Sequence, residues 1–534
     1  MLMRVLTEEE LALEQTEKQA MAKIAELHAG LEPLAVELDE GQFPKRLQER
    51  FIRIVEAMSS LPEKSFPRMT RSVGELVALY RFLGNFQVTP DKILEPHMLA
   101  TCERADRLRR ILVVHDTSGI SYGGQGMRQG LGPLNDGGHG YYLHVSLALS
   151  ADGLRVPLGV LRFEAVVREA LKSKNKPKNS RKKDPDSEFE RWWRAVEQSE
   201  QLFEGGATEL IHVMDREGDD FVLEARMLLA GKRFVIRSSF DRLLSLTPEE
   251  KKEGAARKLR EALAEAEVVF EREVELSPRK EDRSAEKRKT YPARQGRTAK
   301  LCAAARRLSI RRPNGLGSIE GSPVPRSIEL NVVRVWEVEA PEGVKPVEWY
   351  LLTSEPIETL EQILEVVDFY RARWVIEEFF KALKSGCGLE KRQLESKEAL
   401  LNALAVFLPI ACRMLLLRSL ARSTPALPAT VVLSPTQIHI LRTMRPKAAL
   451  SPQPSIGAAL LAVASLGGHL KHNGNPGWQV IGRGFEKIVI VEEYLASIAP
   501  ADAGAEHVSD NLINIREYLA STGQSHLLRT SVQS

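Results

Sequence analysis

Two short apolar runs, Ile111–Val114 and Leu210–Met214, each lead into an aspartate: Asp116 after His115 in the first, Asp215 directly in the second. Side chains alternate between the faces of a strand, so a run with apolar residues on both faces is covered on both. Such strands belong inside a sheet with helices packed over it. From Arg110 onward the pattern keeps to period two. Tyr142–Leu149 alternates, Ala151-Asp152-Gly153 turns, and Leu154–Phe163 returns, which makes a hairpin. Phe189–Phe203 reads as helix; after Asp215 come a helix at about Asp219–Ala230 and a strand at Phe234–Ser238. The order β-β-β-α-β-α-β gives a mixed sheet with helices, α/β by class.

At 534 residues the chain holds several domains, about three to four at roughly 150 residues each. A hydrophobic content of 43% excludes disorder throughout and is consistent with several soluble cores. The net charge of +3 names no partner, so local charge has to. Lys172–Lys183 holds seven Lys and Arg and no acid, while Arg279–Arg312 holds thirteen against three acids. Charge runs are usually solvated loops; two of them beside a sheet that ends in carboxylates favour a polyanion. The four cysteines, Cys102, Cys302, Cys387 and Cys412, form no CxxC pair, which argues against disulfides and zinc and for a reducing cytoplasm. MLMRVLTEEELALEQTEKQA has no apolar core and is not read as a signal peptide. Leu400–Leu417 contains Asn402, Pro409 and Arg413, so a buried, kinked helix is expected there rather than a membrane span.

The first hundred residues read as helices: Glu8–His28, Phe43–Met58 and about Ser72–Leu83. Lys45, Arg46, Arg50, Arg53, Arg68, Arg71 and Arg81 give them basic faces. Solvated helices and a DNA-binding module both fit, and composition does not separate them. After the second basic run, strands resume at Ile328–Val338 and Glu348–Leu352. Helices then run from Thr359 through Arg422 and over Ile456–Leu495, and the tail past Pro500 is expected to be poorly ordered. Gly123–Gly130 mimics a dinucleotide loop, but a strand follows where that motif needs a helix, so a hairpin loop beside a site is expected. His469 and His472 have no companions for a metal and are assigned to the surface.

Asp commonly ends strands as a turn former, and either aspartate alone would be read so. A third element changes the balance. At about 100° per residue, with Tyr370 at zero, Arg373 falls near about 300°, Glu377 near about 340° and Lys384 near about 320°, a single helical stripe. Ile376, Phe379, Phe380 and Leu383 make the adjoining core face. A surface ladder Arg373–Glu377–Lys381 is the plainer reading, yet it leaves Tyr370 and Lys384 unexplained. Three carboxylates among phosphate-seeking donors suit Mg²⁺, and two such ions about 3.5–4 Å apart serve phosphoryl transfer. Asp116 would bridge both ions, with Asp215 and Glu377 each binding one.

At these residues the chain resembles bacterial DDE transposases of the insertion-sequence-4 family. The signature Tyr-x2-Arg-x3-Glu-x6-Lys is met by Tyr370, Arg373, Glu377 and Lys384; HDTSGISY resembles the first aspartate region, and VMDREGDDF with RFVIRSS the second. Ala78–Leu83 resembles the end-binding domain, and Ile456–Tyr494 the dimerisation region. The resemblance implies an α/β fold: a ribonuclease-H-like catalytic core interrupted by a β-rich insertion, with helical N-terminal and C-terminal domains. The expected units are an end-binding domain at 1–100, the core at 101–240 and 347–425, a basic insertion at 241–346, a dimerisation domain at 426–500 and a flexible tail at 501–534. It further implies Asp116, Asp215 and Glu377 as catalytic metal ligands for two Mg²⁺, with Mn²⁺ able to substitute. Arg237, Tyr370, Arg373 and Lys384 are implied as DNA contacts, and Trp349 as a handler of a flipped base. Arg50, Arg53, Arg71 and Arg81 are the DNA-binding candidates of the N-terminal helices.

The expected activity is cut-and-paste transposition: end binding, nicking, a hairpin intermediate, excision and joining of 3′-OH ends to target DNA. Transposon-end and target DNA and a second copy of the chain in a synaptic homodimer are the expected partners, in the bacterial cytoplasm and without a membrane. A ribonuclease-H-like nuclease and a domesticated or inhibitory DNA-binding relative are the alternatives. All three carboxylates are present, which favours the active enzyme.

Overall fold

The computed structural model describes residues 34–123, 128–135, 137–168, 190–276, 293, 295–314, 316, 318–319, 322–344, 346–444, 450–470 and 474–498. The helix expected over Glu8–His28, the Lys172–Lys183 run, most of residues 279–294, the centre of the glycine loop, His472 and the tail past Pro500 lie outside them.

The protein is mixed α/β, built on a ten-stranded sheet. Its strands are β1 (Arg110–Ser121), β2 (Gly132–Pro133), β3 (His139–Ser150), β4 (Pro157–Val166), β5 (Glu209–Met214), β6 (Arg233–Arg237), β7 (Phe270–Leu276), β8 (Arg297–Arg311), β11 (Ser327–Val338) and β12 (Glu348–Thr353), with β9 (Ser318–Ile319) and β10 (Ser322–Pro323) pairing apart. The order is β2-β3-β1-β5-β6-β12-β11-β8-β7, with β4 also paired to β3. The apolar strands β1, β5 and β6 run parallel to one another at its centre. The flanks are antiparallel.

Helices of eight or more residues are α1 (Lys45–Ser60), α2 (Val73–Leu83), α3 (Pro90–Asp106), α4 (Glu190–Gln201), α5 (Phe221–Leu229), α6 (Leu360–Ala372), α7 (Trp374–Lys381), α8 (Lys397–Ser423), α9 (Pro435–Met444), α10 (Ile456–Leu466) and α11 (Trp478–Ile498). Alternation along the central strands splits the core. Leu112, Val114, Ile211, Val213 and Val235 pack with α6, α7 and α8 in one cluster. On the other face, Met214, Phe234 and Ile236 pack with Trp192 and Val196 of α4 and with α5. Ser72 caps α2, accepting from the Glu75 amide at 3.2 Å, which starts that helix within a residue of the expected position.

The long apolar helix α8 is a core element. It is the one helix among the described residues long and apolar enough to cross a membrane, and 89% of its most apolar window is buried. Its polar interruptions are all used: Asn402 donates to the carbonyls of Leu83 and Val88 (2.8 and 3.1 Å), and Arg413 to Glu37 (2.6 Å). The helix continues through Pro409.

Two expectations need correction. β1 does not end at Asp116 but runs on to Ser121, because its second half keeps pairing with β3, from Asp116 opposite Val145 to Ser121 opposite Gly140. The second basic run is not wholly a loop interrupting the sheet either. Its last part forms β8, paired with β7 and β11, and two of its charges are neutralised across those pairings, Arg297 by Glu337 and Lys300 by Glu271 (2.5 Å).

Candidate active site

Parallel pairing sets the geometry of the site. His115 is level with Met214, and Met214 with Ile236, so Asp116, Asp215 and Arg237 are the next residues in one row across three neighbouring strands. Each stands two residues past an apolar side chain of the face covered by α6–α8: Val114, Val213 and Val235. The row therefore continues that face at the edge where β5 and β6 end. Asp116 directs Oδ1 to its neighbour's amide, accepting from Thr117 N at 2.7 Å, which leaves Oδ2 for the site. Asp215 accepts from Glu217 N at 2.8 Å and so caps the single turn Arg216–Gly218.

The third carboxylate arrives on a helix with two irregularities. α6 breaks at Arg373, α7 carries Glu377, and the chain then widens into a π turn over Ala382–Gly386. A uniform α-helix is thus not what places Lys384. It lies in the π turn, where its ammonium donates to the Gly119 carbonyl of β1 at 2.6 Å and lies 3.7 Å from Glu390. An extra residue in a helical turn rotates the side chains beyond it, and such turns cluster at functional sites.

Only the Arg373–Glu377 rung of the surface ladder forms. Lys381 pairs with Glu378 at 2.8 Å, and Arg373 faces inward instead, bonded to Glu377 and 3.5 Å from Asp116 Oδ2. Tyr370 is buried beside Arg237, whose Nη2 donates to the Glu348 carbonyl at 3.0 Å. Trp349 sets its ring edge-on to Tyr370, with centroids 5.5 Å apart. Five of the expected site residues, Asp116, Arg237, Tyr370, Arg373 and Glu377, are therefore linked by side-chain contacts, with Trp349 packed against them. Arg50, Arg53, Arg71 and Arg81 stand apart, on α1 and at the two ends of α2.

Burial and the neighbouring Asp215 push the Asp116 carboxyl up to about 7, against a partial offset from Arg373. Although burial opposes its charge, Arg373 is held more firmly cationic by Tyr370, Glu377 and Asp116. Burial raises the Tyr370 phenol and lowers the Arg237 guanidinium. Among the described residues no three acidic, His or Cys side chains converge tightly enough to enclose a metal ion. The acidic charge is bridged by Arg373 instead.

Several residues near the site were not singled out from sequence. Trp374 is half-exposed beside Arg373, its ring centroid 5.8 Å from that guanidinium and 5.5 Å from the Lys381 ammonium. Glu390 accepts from the Ser121 amide at 3.1 Å and fixes the end of β1. Arg392 is no DNA contact: it is buried and bonds the carbonyls of Pro62, Lys64 and Cys387. Behind the row, on the opposite face, Ser146, His115, His212 and Glu200 form a buried chain of contacts at 2.9–3.0 Å. An aromatic directly after the signature arginine and a histidine inside an apolar run were the available signals.

Residues 241–408 match the family described as "Transposase DDE domain", and residues 37–88 match "Transposase DNA-binding". The chain carries both domains. Glu377 with its helix falls inside the first match, while Asp116 and Asp215 precede it. Arg50, Arg53, Arg71 and Arg81 fall inside the second. The two matches support a DNA-binding transposase of the DDE kind. Among solved structures it is similar to a piggyBac transposase synaptic complex with hairpin DNA, at 9% identity, over 89% of this chain and 76% of that one, with a TM-score of 0.32. A score that low supports nothing further.

Proposed function

We propose that this chain is a cut-and-paste transposase of the insertion-sequence-4 type, with Asp116, Asp215 and Glu377 as its catalytic carboxylates. The observation that carries the reading is that two aspartates lie level on parallel strands and that Arg373 links one of them, Asp116, to Glu377. A ribonuclease-H-like core is supported by the order β4-β3-β1-β5-β6, in which only β3 opposes its neighbours. The units proposed from sequence, 1–100, 101–240, 241–346, 347–425 and 426–500, stay proposals.

The donor set fits hard divalent cations such as Mg²⁺ or Mn²⁺. It is all oxygen, and a carboxyl pushed up to about 7 by burial and by its acidic neighbour is one whose charge a cation would stabilise. Asp116 would serve both ions, with Asp215 and Glu377 binding one each; bound there, they would supply Lewis-acid stabilisation of attacking and leaving oxygens. The chain's own residues do the positioning. Arg237, Tyr370 and Lys384 would supply donors suited to phosphate, and the edge-on contact of Trp349 with Tyr370 supports a role for Trp349 in receiving a base in a hairpin step. Arg373 must exchange carboxylate for phosphate as the cations bind, turning from counter-ion to substrate clamp. A synaptic homodimer on paired DNA ends completes the proposal.

Glu377→Gln tests it. The change removes a ligand charge with little change of size, so the purified variant should bind end DNA normally and fail to nick it in Mg²⁺. Glu378→Gln, which loses a contact to Arg418 instead, should still cut. Normal nicking by a folded Glu377→Gln protein would overturn the carboxylate assignment.

A further inference from the structure

The loops that leave β5 and β6 carry a second feature, beside the row but outside the residues discussed so far. Asp219 is buried, and its carboxylate gathers the chain that leaves β6: it accepts from the amides of Ser239 and Phe240, from the Ser238 hydroxyl, and from Arg242, which also holds buried Glu224. Ser239 Oγ in turn donates to the Arg216 carbonyl at 2.9 Å. The turn after Asp215 and the strap after Arg237 are thus fastened into one rim of the active-site edge.

Two side chains stand out on that rim. Phe240 is 62% exposed, although its backbone is anchored. Arg216, next to Asp215, is exposed, and among the described residues no carboxylate pairs with it. No ring or cation among them packs on Phe240. The other aromatics at the site are engaged, Trp349 by Tyr370, and Trp374 by Arg373 and Lys381. An open ring on an anchored backbone, tied through Ser239 to a residue with an unneutralised guanidinium, matches a nucleotide with an unstacked base: the ring takes the base, the guanidinium its phosphate.

We propose that Phe240 and Arg216 form a stacking step for an unpaired nucleotide at the DNA end, beside the catalytic row. This rests on the transposase reading, since strand breakage at Asp116, Asp215 and Glu377 is what frees such an end. Phe240 stacks any base and contributes no sequence preference. Arg216 contributes affinity that salt weakens.

The test uses the full chain in Ca²⁺ and fluorescence anisotropy with two probes, a blunt duplex and the same duplex carrying a short 3′ overhang. Phe240→Ala should bind the overhang probe about tenfold more weakly and leave blunt-duplex affinity unchanged. Phe240→Tyr should restore it. Arg216→Ala should weaken both and reduce the slope of log affinity against log salt by about 0.7–0.9. A Phe240→Ala protein that binds both probes like the wild type, or loses both equally, overturns the stacking step. If the wild type binds neither probe, the transposase reading itself fails, and the step with it.

Discussion

The Arg373 guanidinium lies 3.5 Å from the Asp116 carboxylate, although 257 residues separate the two in sequence. Bonded also to Glu377, it acts as an internal counter-ion for the acidic row. Arg373→Gln should therefore destabilise the protein in EDTA, by about 1–3 kcal/mol after allowing for the partial exposure of Glu377. Mg²⁺ should then raise the melting temperature of the variant more than that of the wild type. Equal Mg²⁺ shifts in scanning fluorimetry would show that the arginine and the cation do not share a site.

The raised Asp116 carboxyl has a definite pH signature. Its folded value is about 7 against 3.8 in the unfolded chain, so the native state holds the extra proton between them. Without divalent cation, this group's contribution to stability is fully favourable below about 4, declines as pH rises, and is lost above about 7. Asp215→Asn removes a repulsive neighbour and should flatten that decline, which urea melts of both proteins across this range would reveal. Cation binding should also release protons near neutrality, measurable by calorimetry in buffers of different ionisation enthalpy.

Much of this site was legible because its signals are local. Apolar runs leading into Asp116 and Asp215, and the spacing from Tyr370 to Glu377, are short-range patterns that sheet and helix geometry convert directly into position. What sequence did not reveal depends on distant partners. The extension of β1 to Ser121 is held by β3. The π turn at Lys384 interrupts a pattern that reads as regular helix. Arg297 and Lys300 look like free charge until β7 and β11 bring Glu271 and Glu337 alongside. Asp219 reads as one acid among three in a short stretch, and only the fold shows that it alone is sealed beneath the rim.

Glu37 should behave as a structural keystone rather than a surface acid. It accepts from Arg104 (3.2 Å), Arg413 (2.6 Å) and His97 Nδ1 (2.6 Å); His97 Nε2 accepts from Val160 N, which fixes the proton on Nδ1. Burial would raise this carboxyl, but His97 and the two arginines outweigh it and hold it far below its usual range. Its contribution is fully present above about 4.5 and fades as pH falls. Glu37→Gln should thus cost about 3–5 kcal/mol at neutral pH, with the difference shrinking in acid. Comparable denaturation midpoints at pH 7 would refute this.

For DNA binding, charge position should matter more than charge number. Arg53 and Arg81 are exposed on α1 and α2 and form no ion pair among the described residues, whereas Arg297 is committed to Glu337. Arg53→Ala and Arg81→Ala should each reduce the salt slope of binding by about 0.9, and Arg297→Ala should leave it unchanged. A loss at Arg297 equal to those at Arg53 and Arg81 would return the second basic run to the DNA surface.

The strand that leads into the Glu377 helix has neighbours of two origins. β12 is hydrogen-bonded on one side to β6 and on the other to β11, whose residues come from the long stretch of chain between β6 and β12. That stretch is a clamp on the third carboxylate rather than a passenger between the second and the third. Its excision would turn an interior strand into an open edge, free to slip by a residue and so to rotate Glu377 off the row. Insertions and deletions there should be tolerated only in the turns between strands, and the three proposed catalytic carboxylates would owe their precision to the segment that seems to interrupt them.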